Sequence, residues 1–282
     1  MKTLSSIKKD MEFNKGLSTL VETLKAIAVS QYRALERKIK TFKDFTVNIE
    51  SFFNFISVKQ TKHPFLNPKN EIQAVVAITS DSGFLGGLNM QVIGAAVKEL
   101  EKMPGKLIIV GERGKTYVRG TNISTVSFPG INDEERYGQA MQLRDYIIKE
   151  ALRGSFGYVK VVYPRSISFT VQRVETVSFL PYSPPNIKRV SQEEMSDIIL
   201  ESRPEDMAQY LVYLWIGQKI YEIFGLSRLA EFAARYIHLE ESAQKLKDID
   251  KKVRLEYFRV RHELVDRTMR ELFAGRSLYA KK

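Results

Sequence analysis

Residues 72–89 read IQAVVAITSDSGFLGGLN, and this stretch decides the fold. Ile72–Ile78 is a short, β-branched apolar run that predicts a strand. Ser80 and Asp81 end it, and Gly83, Gly86 and Gly87 permit a tight turn with φ > 0. A helix then runs through about Leu100. Further along, Lys106–Gly111 (KLIIVG) reads as a second strand, followed by a short GKTYVRG segment and the apolar stretch ISTVSF. Asn132–Leu152 reads as a helix, with Asn132 or Asp133 as its cap and Glu135 in its first turn. YVKVVYP and the alternating SFTVQRVETVSF complete the set. Strands separated by helices imply an α/β unit, and the closeness of the last two strands implies an antiparallel pair, hence a mixed twisted sheet.

On either side the pattern changes period. Residues 1–60 contain no proline and a single glycine, Gly16. Their apolar residues (Leu4, Ile7, Met11, Leu17, Leu20, Leu24, Ile27, Leu35, Ile39 and onward to Ile56) fall mostly three or four apart, which is helix spacing. A gap around Asn14 weakens the seam. Unbroken, about 55 residues at roughly 1.5 Å each make a rod of about 80 Å. Pro64 and Pro68 end that segment. YSPPN at 182–186 reads as a linker, and after Pro204 no proline occurs for 78 residues. Leu239, Ala243, Leu246, Ile249, Val253, Tyr257, Val260, Leu264 and Leu272 mark a second long helix, with a break expected near Gly217 or Gly225. Two amphipathic helices at opposite chain ends bury their stripes most economically against each other, as an antiparallel coiled coil. The expected layout is a coiled-coil helix over 1–60, an α/β domain inserted at 70–190, and a coiled-coil helix over 204–282.

Composition narrows the chemistry. Cysteine is absent, so there is no disulfide framework, cysteine nucleophile or thiolate-ligated metal. The three histidines, His63, His238 and His262, have no ligand-like spacing and read as surface or interface groups. No run of 18 apolar residues suggests a membrane span, and the first residues lack the pattern of a targeting peptide. Lys and Arg total 44 against 33 Asp and Glu, a net charge of +11. The excess lies at the chain ends: residues 1–60 carry 11 basic against 6 acidic groups, and residues 251–282 carry 10 against 4. Such a surface favours an acidic partner.

Neither glycine cluster meets a nucleotide fingerprint. SDSGFLGGLN lacks G-x-G-x-x-G, and Leu88-Asn89 stands where a P-loop requires Lys and Ser or Thr. In GERGKTY, Gly111 lies three residues before Gly114, where a P-loop needs five. Asp81 is the one acid well placed at a strand end, and no histidine can complete a serine triad. The expectation is therefore no catalytic residue, no cofactor and no metal. Nucleic acid is disfavoured as well, because the basic residues are interleaved with acids.

Several motifs resemble one family along the whole chain. SDSGFLGGLN is similar to the SD-x-G-x-x-GG-x-N signature of the gamma subunit, or central stalk, of rotary F-type ATP synthases, through Ser80, Asp81, Gly83, Gly86, Gly87 and Asn89. LKAIAVSQYRALER (24–37) resembles the family's N-terminal AM-K-MVA-x-x-K-x-x-x-A helix. AEFAARY (230–236) resembles SE-x-x-AR-M, through Glu231, Ala234 and Arg235. YFRVRHELVDRTMRELFAG (257–275) resembles the terminal YN-x-x-RQ-x-x-IT-x-E-x-x-EI-x-x-G, with Tyr257, Arg261, Glu271 and Gly275 in place. PYSPP at 181–185 also fits. Departures at Asp10, Gln31, Phe258, His262, Asp266 and Thr268 mark a divergent member.

The resemblance implies a non-catalytic rotor shaft of a proton- or sodium-translocating ATP synthase or ATPase. Such a shaft couples an ion-driven membrane c-ring to ATP synthesis or hydrolysis in an alpha3-beta3 ring. Implied partners are the alpha and beta subunits, an epsilon-type subunit and the c-ring. The implied location is peripheral, on the cytoplasmic face of a bacterial membrane. Ile7, Leu24, Ile27, Leu246, Val253, Val260 and Leu264 would stiffen the seam. Lys25, Arg33, Arg254, Arg259, Arg261 and Arg267 would face the ring as rotor–stator contacts. Two alternatives share the periodicity: the shaft of a repurposed F1-like motor, and a non-rotary coiled-coil scaffold.

Overall fold

The computed structural model describes residues 3–39, 63–183 and 202–279. The expected helical stretch 40–60, the end of the linker with residues 184–190, and residues 280–282 lie outside the described residues. The elements run α1 (Leu4–Ile39), β1 (Gln73–Ile78), α2 (Leu88–Lys102), β2 (Gly105–Val110), α3 (Glu112–Val118), β3 (Thr125–Phe128), α4 (Arg136–Leu152), β4 (Tyr158–Ser166), β5 (Gln172–Leu180) and α5 (Pro204–Tyr279). They divide into two compact units, one of Met1–Ala28 with Tyr236–Lys282 and one of Val29–Arg235.

In the larger unit the described strands form one five-stranded sheet in the order β3-β2-β1-β4-β5. β1 pairs in parallel with β2 and β4, β2 in parallel with β3, and β4 antiparallel with β5. The sheet is thus mixed, with its antiparallel pair where the sequence places it. Both faces are covered, and the pleat sorts the side chains by alternate residues. Ala74, Val76 and Ile78 turn toward α4 and the first part of α5, joining Ile108, Val110, Leu143, Ile147, Trp215, Ile216 and Phe224. Val75 and Ala77 turn the other way, toward Val92, Ile93 and Ala96 of α2 and Val118 of α3. Trp215 meets Phe179 and Tyr182 edge-on, with ring centroids 5.4 and 4.9 Å apart.

Several local expectations change. The GKTYVRG stretch, given no element above, is helical as far as Val118, and Gly114 lets α3 lie against Thr79, whose hydroxyl a Cβ there would strike. α4 begins at Arg136 rather than Asn132. Asn132 instead makes a turn in which its side chain accepts from Glu134 N at 3.0 Å, while Gln139 Oε1 accepts from Asn132 N. α5 is continuous through Gly217 and Gly225, both of them buried, so the expected break does not occur. His63 is buried too, within hydrogen-bond distance of Gln209 and edge-on to Phe65, and is not the surface group its position suggests. Burial holds its pKa below the ordinary value against the upward pull of Gln209.

The smaller unit is a helix pair. Lys25 reaches Glu240, and a groove is lined by Ser18, Thr19, Glu22, Thr23 and Ala26 of α1 together with Ala243 and Lys247 of α5. Rising numbers on α1 meet falling ones from Lys247 to Glu240, so the two helices are antiparallel. Among the less exposed residues of α1, Leu4, Ile7, Met11, Asn14, Ser18, Val21, Lys25 and Ala28 alternate three and four apart, with Asp10, Leu17 and Leu24 flanking them. So do Leu239, Ala243, Leu246, Asp250, Val253, Tyr257 and Val260 of α5. This is the heptad seam of a coiled coil. It differs from the expected apolar pattern at Leu20, Ile27, Ile249, Leu264 and Leu272, which are exposed. Asn14 and Ser18 occupy the weak stretch that the apolar pattern skips.

Candidate functional site

Because β1 to β4 all run parallel, their carboxyl ends share one edge of the sheet. In open α/β sheets that edge is where ligands bind, at the point where strand order reverses. Here β1 is that point, with β2 on one side and β4 on the other. The loop after it is the glycine-rich signature. Ser80 is buried; its N–H donates to Asn89 Oδ1 at 3.2 Å, and Asn89 Nδ2 donates to Ser80 Oγ at 2.9 Å. Asp81 accepts from Glu112 N at 2.8 Å and from Gly130 N at 3.2 Å, tying β1 to the starts of two neighbouring segments. Its oxygens are therefore occupied as a clasp. Of the three signature glycines only Gly86 takes positive φ, and the second left-handed residue is Phe84, at φ 63°. Gly83 lies against Arg113, and Gly87 precedes α2 with φ −89°.

Three of the four loops at this edge close on the helices of the same unit. Leu85 and Leu88, after β1, pack on Ala234. Asp133, after β3, accepts from Arg228 Nη2 at 3.1 Å and from Nε at 3.2 Å. Phe169, in the β4–β5 hairpin, meets Tyr32 edge-on at 4.8 Å. Tyr32, Leu35, Leu229, Phe232 and Ala233 form the apolar contact between the two helices at this level. Nearby, a cavity lined by Val110, Phe128, Pro129, Gln139, Gln142, Leu143 and Phe224 holds only about 10 Å³, at or below the room one water needs. The edge that could cradle a ligand is built as a collar around helices.

The collar's polar centre joins two motifs distant in sequence. Glu231 is buried and accepts from Arg228 Nη1 at 2.7 Å. Burial raises its pKa to about 7, against the downward pull of Arg228 and Arg235. Burial alone would lower Arg228, but Glu231 and Asp133 more than offset it and hold it above the ordinary value. Arg235 is lowered by burial, with Glu231 opposing; its Nη2 finds no hydrogen-bond partner among the described residues. Each arginine also lies over the Phe232 ring, at 4.6 and 5.8 Å.

The remaining sequence-assigned residues are spread along the helices. Lys25 holds Glu22 and Glu240, and its side chain is only 12% exposed. Arg254 pairs with Asp250 at 2.8 Å, and Arg267 with Glu271 at 3.0 Å. Arg33, Arg259 and Arg261 are exposed. Tyr257 is half-buried, edge-on to Phe258, and Gly275 lies within α5. Asp133, expected as a helix cap, instead holds Arg228, and no sequence motif points to Arg228, Tyr32 or Phe169. Their one available signal was position: Asp133 follows a strand, and Arg228 precedes Glu231 by three residues, one helical turn.

Among the described residues no group of three or more His, Asp or Glu side chains could hold a metal, and no helix is long and apolar enough to cross a membrane. A mixed sheet whose carboxyl-end loops close on the helices of the same unit defines an α/β protein built around long helices. The chain belongs to the ATP synthase family, whose model matches residues 3–277. It is 23% identical over 284 residues to the ATP synthase gamma chain of Pelotomaculum thermopropionicum, covering 98% of each chain. To the gamma chain of Clostridium acetobutylicum it is 25% identical over 277 residues, covering 95% of each. A chain of the Euglena gracilis mitochondrial ATP synthase OSCP/F1/c-ring structure shares the fold, with a TM-score of 0.68 at 16% identity, over 97% of this chain and 93% of that one.

Proposed function

We propose that this chain is the central rotor shaft of an F-type ATP synthase or ATPase, a non-catalytic subunit that couples rotation of a membrane c-ring to ATP turnover in an alpha3-beta3 ring. The observation that carries the reading is the unfinished surface of the helix pair. Phe13, Leu20 and Ile27 stand seven residues apart on α1, each 47% exposed or more. Leu255, Phe258, Val265, Met269 and Leu272 are exposed along α5, and every residue from 261 to 274 is exposed. Apolar side chains repeated along a rod mark a surface that a partner covers. A ring with a bore supplies that cover on all sides.

In this reading the helix pair of α1 and the later part of α5 is the shaft, and the inserted Rossmann-like domain bears on the c-ring and an epsilon-type subunit. The chain is peripheral, on the cytoplasmic face of the membrane. An asymmetric two-helix rod presents a different surface to each beta subunit as it turns, so rotation biases the three sites in sequence. Arg33, Arg259 and Arg261 are exposed and would face acidic ring loops. Lys25, Arg254 and Arg267 would have to exchange carboxylates they already hold, so each contributes modestly, about 0.5–1 kcal/mol.

Native mass spectrometry of the complex purified through a tag on this chain tests the reading. The expected mass is one copy with three each of two ATPase subunits. A homodimer, or the chain alone, would replace the shaft by a coiled-coil scaffold.

A further inference from the structure

Two arginines of α4 are almost fully buried, Arg136 at 6% and Arg144 at 9% exposure. They are eight residues apart, and each lies over a tyrosine of α5, itself eight residues from the other. The Arg136 guanidinium sits 4.7 Å from the Tyr221 ring and donates from Nη2 to the Tyr221 hydroxyl at 3.1 Å. The Arg144 guanidinium sits 3.7 Å from the Tyr213 ring. Four residues beyond each tyrosine is a glycine. A Cβ on Gly217 would come within 3.0 Å of Arg144 Cδ, 3.1 Å of Met141 Cε and 3.2 Å of Arg144 Nη1; one on Gly225 would come within 3.3 Å of Ile39 Cδ1 and 3.4 Å of Arg136 Nη1. Residues 213, 217, 221 and 225 thus form one ridge of α5, alternating ring and gap, and each guanidinium lies beside a ring and above a gap. Asp145 accepts from Arg144 Nε at 2.9 Å, whereas Arg136 Nε has no hydrogen-bond partner among the described residues.

Mechanically this is a two-rung ladder. Rungs eight residues apart are separated by about 12 Å along the helix. Sliding or rolling α5 against α4 would drive a ring or backbone into a planar cation at both rungs at once. A smooth aliphatic contact has no such stop, because its attraction is non-directional. The close approach of Arg144 accounts for Gly217 in an unbroken helix, where a glycine costs about 1 kcal/mol relative to alanine, while Gly225 makes room for Ile39 as well as Arg136.

We infer that Arg136 and Arg144 are positioning residues that hold the α/β domain in register on α5, so that torque entering the domain passes into the helix without slip. The inference rests on the shaft reading. Its test uses the complete membrane complex in vesicles, comparing ATP hydrolysis with ion pumping for the parent, Arg136→Met/Arg144→Met, Tyr213→Leu and Tyr213→Phe. The double variant and Tyr213→Leu should assemble and hydrolyse ATP, with ions pumped per ATP reduced on the order of fivefold. Tyr213→Phe keeps the ring and loses only the hydroxyl's bond to Asp145, so its pumping should stay near the parent's. If the double variant does not assemble, Gly217→Ala carries the test, because it crowds Arg144 without removing a contact, and the same loss of pumping is expected. Unchanged pumping per ATP in assembled Tyr213→Leu and Gly217→Ala complexes would overturn the ladder while leaving the shaft reading intact. A parent chain that never co-purifies with ATPase subunits would overturn the shaft reading itself.

Discussion

The α/β unit and the helix pair differ in how far each finishes its own surface. In the α/β unit, strands are covered on both faces, large rings such as Phe65, Phe156, Phe179, Phe224 and Phe232 are fully buried, and arginines are drawn inside against tyrosines. In the helix pair, the seam includes Asn14, Ser18, Lys25 and Asp250, a groove of about 610 Å³ runs beside Ala243, and large apolar residues face outward. One unit is stabilised by its own core. The other has a thin seam and an apolar exterior, the composition of an element completed by binding.

The comparison can be broken first at the core. Trp215→Ala removes the ring between Phe179 and Tyr182 and should lower the unfolding free energy by about 3–5 kcal/mol, measured by urea titration. A loss below about 1 kcal/mol would mean that the α/β unit is not held by this core.

The collar gives the next effect through pH. Glu231 has an ordinary value of 4.5 and a folded value of about 7, so across that window the folded chain keeps a proton the unfolded chain releases. Stability contributed here therefore falls as pH rises from about 4.5 through 7, by about 3 kcal/mol at most. Thermal midpoints between pH 4.5 and 8 should decline less steeply in Glu231→Gln than in the parent. Equal slopes would show that Glu231 is already ionised throughout.

Smaller still is the clasp. Asp81→Ala leaves the Glu112 and Gly130 N–H groups without their acceptor and should cost about 1–2 kcal/mol, since the carboxylate is open to water. The same variant should leave ATP hydrolysis by the assembled complex near parent, a check against any catalytic part for this acid. The smallest effect on the chain itself is expected from Leu20→Ser/Ile27→Ser, within about 0.5 kcal/mol, although assembly with the ring should weaken clearly. Equal losses of stability and assembly would mean that these side chains belong to an internal core.

Much of this contrast is readable along the chain because it depends on local period. Alternation in SFTVQRVETVSF, the apolar run at 74–78 and the three-and-four spacing from Leu239 to Val260 each report which side of one element is covered. The collar and the ladder depend instead on pairings across long separations: Asp133 with Arg228, Tyr32 with Phe169, Arg144 with Tyr213. Nothing in a single stretch specifies them. A glycine in a helix signals a break by propensity, but Gly217 makes room for Arg144 and Gly225 for Ile39 and Arg136. Phe84 likewise takes a left-handed position in a loop that offers three glycines for it. It precedes Leu85, which with Leu88 packs on Ala234, a pairing the loop sequence alone does not encode.

Hydrogen exchange, followed on the isolated chain and on the purified complex, measures the central difference directly. The account predicts that amides of 4–28 and 236–274 gain strong protection on assembly, while those of β1, β2 and β4 exchange equally slowly in both states. Helix-pair amides already as protected in the isolated chain as in the complex would contradict it.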